Sequence, residues 1–244
     1  MTNSHTLAVV AGMSAIMLLT APAVAQSIIP EGGYVAGEIG GAVHQSVTFS
    51  DTNPGAANCD LCTTSFPSSI GNTFIVGVKL GYRISSQFRA DFSLEHLSSS
   101  KVSGHSTSTP PSTGTANLDS FLVLYNVYYD VTSIPALGLL QPYFTAGMGI
   151  ARNSLGTTSG DAGPAGPFAI TGNARNNFAW DAGVGLALPL SEHLTADLGY
   201  RFINLGELRS GTTLSIAGQS LLVTASQTGS AYVHAVTFGL RYYF

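Results

Sequence analysis

Along the C-terminal stretch Tyr232–Phe244, every second residue is apolar or aromatic: Val236, Phe238, Leu240, Tyr242 and Phe244. The intervening Ala235, Thr237, Gly239, Arg241 and Tyr243 are mostly small or polar. A period of two places these two sets on opposite faces of a β-strand, one apolar and one wet. A tilted strand crosses a bilayer in roughly nine to eleven residues, and this stretch is long enough.

The same period recurs upstream. Gly33–Phe49 carries Val35, Ile39 and Val43 on one parity, with Ala36, Glu38 and Gly40 on the other. Thr73–Ile84 sets Phe74, Val76, Val78, Leu80 and Tyr82 against Gly77, Lys79, Gly81 and Arg83. Phe88–Leu97 sets Phe88, Ala90, Phe92 and Leu94 against Arg89, Asp91, Ser93 and Glu95. Leu118–Val131 aligns Phe121, Val123, Tyr125, Val127 and Tyr129, but Leu122 and Leu124 on its other face weaken the alternation. Gln141–Arg152, Asn177–Leu190 and Leu194–Leu205 follow, and Asn177–Leu190 is very regular, with Phe178, Trp180, Ala182, Val184, Leu186, Leu188 and Leu190 on one face. Four long polar connections are expected, near 50–71, 98–117, 153–176 and 207–230, with Thr212–Thr224 extending the last hairpin. Short connections such as Ser85-Ser86-Gln87 and Ser191-Glu192-His193 alternate with them. The expected fold is all-β, an eight-stranded antiparallel up-and-down transmembrane β-barrel with short turns on the periplasmic side and long extracellular loops.

Composition supports strands over helices. Only 9% of the 244 residues are charged, against about 25% in an ordinary soluble domain. Yet no internal run reaches the roughly 18 apolar residues of a transmembrane helix. The 28 glycines also disfavour helices. A net charge of -4 without a basic cluster argues against nucleic acid as a partner. At the N-terminus, Leu7–Leu19 forms an apolar core and Ala23-Val24-Ala25 fits a small-x-small cleavage site. Residues 1–25 are therefore expected to be a signal peptide, although Lys and Arg are missing from its first residues, and 26–244 the barrel. Cys59 and Cys62 form a C-x-x-C, which can be a redox motif, half of a zinc site or a small disulfide. Their Pro-, Asn-, Ser- and Thr-rich surroundings favour a loop-stapling disulfide.

A soluble barrel would turn its apolar face inward. Here the apolar parity carries aromatics towards the strand ends (Phe74 and Tyr82, Trp180, Tyr200 and Phe202, Tyr242 and Phe244), as membrane barrels do at the two interfaces. The other parity carries Glu38, Lys79, Arg83, Arg89, Asp91, Glu95, Asp181, Asp197, Arg201 and Arg241. These would be costly in hydrocarbon. The interior of an eight-stranded barrel is just wide enough for side chains to fill, and opposite charges there can neutralise each other. They are expected to form a lumen charge network that plugs the barrel, with Arg241 pairing with Asp197 or Glu38. A narrow path for small solutes is the alternative reading of the same charges.

No hydrolase elbow, H-E-x-x-H or phosphate loop is present, and no cofactor or metal is expected. His96-Leu97-Ser98 resembles the H-x-S of some small outer-membrane lipid A deacylases, which add a downstream Glu on the next strand. Asp119, the next acid, is expected on the parity opposite to the apolar face of its strand, so lipid A hydrolysis is the less favoured alternative.

The segment Phe178–Phe202 resembles the penultimate hairpin of the opacity-protein/OmpA-like small outer-membrane β-barrel family of porin-family surface proteins. Pro142–Ala151 resembles the hairpin before it, and Gly239–Phe244 the family terminus. The resemblance implies an integral outer-membrane barrel acting in envelope structure, surface antigenicity or adhesion through its extracellular loops. Its implied partners are outer-membrane lipid, an extracellular ligand or host surface, and the barrel-assembly machinery. That machinery would read Phe238, Leu240, Tyr242 and Phe244 as a C-terminal signal. Unlike two-domain OmpA proteins, the chain ends at the barrel, so no peptidoglycan-binding module is expected.

Overall fold

The computed structural model describes residues 32–51, 66–106, 112–132, 137–222 and 226–244. The expected signal peptide and Cys59 and Cys62 lie outside the described residues. In chain order the strands are β1 (Gly32–His44), β2 (Val47–Asp51), β3 (Phe66–Ile70), β4 (Thr73–Arg83) and β5 (Phe88–Ser106). Next come β6 (Ser112–Asp130), β7 (Gln141–Leu155), β8 (Thr158–Asp161), β9 (Pro167–Ile170) and β10 (Asn173–Pro189). The last are β11 (Leu194–Arg209), β12 (Thr213–Ile216), β13 (Gln219–Leu222) and β14 (Gln227–Tyr243).

Eight of these close into a ring. Antiparallel ladders join β1 to β4, β4 to β5, β5 to β6, β6 to β7, β7 to β10, β10 to β11 and β11 to β14. The β1–β14 ladder, running from Tyr34↔Tyr243 to His44↔Val233, seals it. Closure leaves the membrane-spanning wall without an edge, which a sheet in hydrocarbon requires.

Two of the short connections share one device. Ser85 Oγ accepts from the backbone N–H groups of Gln87 (3.3 Å) and Phe88 (3.1 Å), and Ile84 N–H donates to Phe88 O (2.9 Å). Ser191 Oγ likewise accepts from His193 N–H (3.4 Å) and Leu194 N–H (3.1 Å), and Leu190 N–H donates to Leu194 O (2.8 Å). A serine that captures N–H groups two and three residues on fixes a tight turn with its own side chain.

Outward side chains form an apolar belt. Phe74, Val76, Val78, Leu80 and Tyr82 on β4 are exposed, as are Phe121, Val123, Tyr125, Val127 and Tyr129 on β6. Aromatic pairs mark its two margins. Phe88 packs at a tilt against Tyr129 (5.3 Å) near the short turns, and Trp180, Phe202 and Tyr232 form a run with ring separations of 5.8 and 5.6 Å at the other end. Such girdles sit at the two membrane interfaces.

The long connections differ from expectation. Much of 98–117 is strand: β5 and β6 run to Ser106 and from Ser112, 19 residues each. About ten residues cross the bilayer, so these strands rise about 20 Å above it at a rise of about 3.3 Å per residue and a tilt near 40°. β7, β10, β11 and β14 are likewise extended, and the β2–β3 hairpin stands over the shorter β1 and β4. There β2 pairs with β14 and β3 with β5. β8 adds to β6, β9 to β8 and β12 to β9. Thr213–Leu222 therefore does not extend the β11–β14 hairpin. It is a separate hairpin, turned through Ala217 (φ 47°) and Gly218 (φ 84°). Positive φ at both central residues matches the twist of a two-residue hairpin turn, and glycine adopts it without strain.

The upper wall reverses the polarity of its two faces. Above the belt, inward positions are small or apolar (Val102, Ala116, Leu118, Leu155), and outward ones are polar (Lys101, Thr113, Thr115, Asn117). The period of two persists while its contrast falls, because serine, threonine and glycine occupy both faces.

Candidate functional site

The lumen is built in layers, and the strands position each layer by parity. At the middle lies Arg201 on β11. Its Nη1 donates to Glu95 Oε1 (2.9 Å) and Asp181 Oδ2 (2.8 Å); its Nη2 donates to Glu95 Oε2 (2.7 Å) and Glu38 Oε1 (3.0 Å). One planar guanidinium thus holds three carboxylates from β1, β5 and β10, the Glu95 pair being bidentate, a geometry lysine cannot supply. Lys79 Nζ pairs with the other oxygen of Glu38 (2.9 Å) and donates to Tyr128 Oη (3.3 Å). Asp91 is held by neutral donors, accepting from Tyr34 Oη (2.9 Å) and Asn126 Nδ2 (2.8 Å).

Towards the short turns, two arginines sit beside tyrosines. The Arg89 guanidinium lies 3.8 Å from the Tyr128 ring centre and 4.8 Å from that of Tyr143, and its Nε donates to Asp130 (3.1 Å). Arg241 lies 5.5 Å from the Tyr34 ring and 5.4 Å from the Tyr243 ring, with Nη2 donating to Asp197 Oδ1 (2.6 Å). Such contacts add cation–π attraction to the ion pair. Glycine is required beneath two of the tyrosines. A Cβ at Gly81 would fall 2.3 Å from Tyr34 Cζ, and one at Gly185 would fall 2.2 Å from Tyr143 Cζ. Arg83 donates to the carbonyls of Ser85 (3.2 Å) and Ser86 (2.6 Å), tying the lumen to the turn.

All ten sequence-derived charges therefore face the lumen, and Arg241 meets Asp197 rather than Glu38. Asp130 was missed because it stands at the end of its strand. Its parity, shared with Leu122, Leu124, Asn126 and Tyr128, was the available signal. Above the charged layer the lumen is mainly apolar, with one buried polar link set into it: Ser120 Oγ donates to Asn153 Oδ1 (2.8 Å), and Asn153 Nδ2 donates to Leu205 O (2.7 Å). Leu97, Leu122, Leu124, Ile203 and Leu205 are fully buried within one cluster that continues up to Phe49, Val102 and Leu155. The inward Leu122 and Leu124, which looked like noise in the alternation, are the sequence trace of this layer. A cavity of about 20 Å³ lies among the charges and one of about 50 Å³ among the upper apolar side chains, with no lining residue in common.

Two other candidate sets lie on the outer face. Phe238, Leu240, Tyr242 and Phe244 all point outward, and Phe244 N–H donates to Gly33 O (3.0 Å). Asp119 is not on the face opposite to Phe121, as expected; it shares the outward face, where its Oδ2 lies 3.1 Å from His96 Nε2. Asp119 and Phe121 are two residues apart, so strand geometry puts them on one side. Ser98 Oγ is engaged elsewhere, accepting from Phe74 N–H (3.1 Å) beside Thr73 Oγ1 (3.0 Å). Among the described residues no cluster of His, Cys, Asp and Glu is arranged to hold a metal ion; the carboxylates that converge do so on Arg201.

A closed eight-stranded ring with apolar side chains outside and ion pairs inside defines an integral outer-membrane barrel. The chain belongs to the outer membrane protein beta-barrel domain family, which matches residues 11–244. It is 32% identical to the outer membrane protein PagN of Salmonella typhimurium over 88 residues, 35% of this chain and 34% of that relative, so the match spans about a third of PagN. The outer membrane protein OprG of Pseudomonas aeruginosa shares the fold with a TM-score of 0.56 at 11% identity, over 88% of this chain and 98% of that one. The outer membrane protease OmpT of Escherichia coli does so with 0.53 at 8%, over 88% and 97%. At these identities the likeness to both structures is one of fold. The protein is thus a surface barrel of the outer membrane, in contact with outer-membrane lipid.

Proposed function

We propose that the protein is a non-enzymatic barrel whose lumen is closed by side chains and whose upper wall meets the outside of the cell, in envelope structure or in adhesion to an extracellular ligand or host surface. The observation that carries this reading is the Arg201 layer. Four side chains from four strands meet at the barrel axis with side-chain exposures of 0–7%, and an apolar layer lies directly above. Ions would have to break these pairs to pass. The wall that rises beyond the hydrocarbon offers polar outward side chains for contact. Planar-bilayer reconstitution tests the closed lumen: a silent membrane is expected, and reproducible single-channel steps would replace this reading with a narrow porin-like channel. The polar cavity of about 20 Å³ beneath Arg201 is the observation that favours that second reading.

The outward His96–Asp119 pair keeps lipid A hydrolysis as a third reading. Comparing lipid A by mass spectrometry between cells expressing the protein and cells expressing His96→Ala decides it, with unchanged lipid A expected in both. Phe244, with Phe238, Leu240 and Tyr242, acts as the signal for the barrel-assembly machinery. Deleting Phe244 is expected to lower the amount of protein in the outer membrane, and normal levels would reduce it to a girdle residue. Cys59 and Cys62 form a loop disulfide, which thiol labelling before and after reduction checks.

A further inference from the structure

Ion pairing in the lower lumen leaves hydrogen-bond donors over. Arg89 and Arg241 are buried, with 4% and 1% exposure. Arg89 uses Nε on Asp130 (3.1 Å), and Arg241 uses Nη2 on Asp197 (2.6 Å). Arg89 Nη2, Arg241 Nε and Arg241 Nη1 are buried without a partner. The tyrosine rings beside them attract the positive charge but give these N–H groups no oxygen to bond. A charged donor shut away from water without an acceptor is costly.

Both arginines line the polar cavity of about 20 Å³, with Tyr143 and Gly239 also on its wall. The carboxylates at its upper rim are already engaged. Glu38 is paired with Lys79 and Arg201, and Asp91 accepts from Tyr34 and Asn126. No oxygen is among the buried, unpartnered atoms of the cavity's lining residues. What is left over there is donor only, so the complementary occupant is an acceptor. Charge points the same way. Towards the short turns three guanidinium groups, Arg83, Arg89 and Arg241, share two carboxylates, Asp130 and Asp197. One positive charge thus lacks its own counter-ion in a buried site. A cavity of this size has room for one body about as large as a water molecule. Water offers two lone pairs, fewer than the three nitrogens can fill. A single-atom anion accepts from all three and supplies the missing charge.

We propose that the lower lumen binds one small monovalent anion of chloride size between Arg89 and Arg241, as a structural part of the barrel interior. The site lies below the Arg201 layer, so it does not depend on whether that layer conducts, and it is independent of any adhesive role.

The test refolds the full mature protein into detergent micelles in mixtures of sodium chloride and sodium gluconate at constant sodium, gluconate being too large for the cavity. Urea unfolding is followed by circular dichroism. With chloride at about ten times its dissociation constant, the folded-to-unfolded ratio should be about elevenfold higher than in gluconate, and the rise should saturate less steeply than linearly on a logarithmic plot only below that constant. Gly239→Ala puts a methyl group into the cavity, the nearest atom to its Cβ being Gly37 O at 3.2 Å, and should lose the chloride dependence. An equal dependence in Gly239→Ala overturns the site in favour of screening at exposed cations. Crystals of the unsubstituted protein refolded in sodium bromide give a reading that needs no variant. An anomalous difference peak is expected within hydrogen-bonding reach of Arg89 Nη2 and Arg241 Nη1. Absence of that peak, or a water only, overturns the proposal. A peak without any chloride effect on unfolding marks an adventitious ion only and overturns it as well.

Discussion

Within the single strand β6 the chain obeys two opposite rules. In its lower half Phe121, Val123 and Tyr125 face out while Asn126 and Asp130 face in; in its upper half Thr113, Thr115 and Asn117 face out while Ala116 and Leu118 face in. The same strand pairs with β5 through both halves, with one shift of register between Leu97 and Ser100, and it passes from β7 below to β8 above. The difference lies in what surrounds the wall. Hydrocarbon outside rewards apolar outward residues and drives charges into the lumen; water outside restores the soluble-protein arrangement, with burial of apolar area as the driving force. The buried layer from Ser120 to Leu124 is where one regime gives way to the other. There the lumen already holds Leu122 and Leu124 in place of charges while the outer face is still lipid-exposed.

Four substitutions sharpen this contrast, in order of falling effect. Arg201→Ala leaves Glu38, Glu95 and Asp181 facing one another without their shared partner. Removing one member of a buried ion cluster costs about 3–5 kcal/mol, so the urea midpoint of unfolding in detergent should fall sharply. If it does not, the lower lumen is held by the tyrosine–arginine contacts instead. Leu122→Ala in the upper lumen should cost about 2–5 kcal/mol, the usual range for truncating a buried leucine, measured in the same way. Val78→Arg, near the middle of the lipid-facing side of β4, should cost about 2–4 kcal/mol on folding into bilayers. Thr115→Arg, also outward but above the bilayer, should change stability by less than about 0.5 kcal/mol. Equal effects of Val78→Arg and Thr115→Arg would place the hydrocarbon boundary higher on the wall than the polarity reversal does.

The same reversal explains what could be read from the residues in order. The eight membrane strands were legible because lipid outside and ion pairs inside give the largest possible contrast between neighbouring side chains, as at Leu80 and Lys79. The ten lumen charges followed from parity alone, and so did the choice of Asp197 as one of two partners for Arg241. The upper wall was not legible. Segments such as Ser98–Asn117 satisfy both faces with serine, threonine and glycine, and their strand character comes from pairing with distant partners. The β2–β3 hairpin depends on β14 and β5, far away in the chain, and no local pattern announces it. That the β10–β11 ladder stops at Trp180↔Asn204 is likewise invisible in sequence, since β10 is a very regular strand. Asp119 was misplaced although its parity with Phe121 was available.

The hairpin that stands over β1 and β4 has a consequence for how such a surface can change. In β3, Ser68 and Ile70 face the interior, and Pro67 and Ser69 face solvent. Losing or gaining one residue in this segment would turn Ile70 outward and bring its polar neighbours into the lumen. A change of two residues there keeps the alternation, and so does a substitution at Pro67 or Ser69 on the outward face. Whatever approaches the side of the wall meets only every second residue of the strand, and the residues between them hold the wall from within.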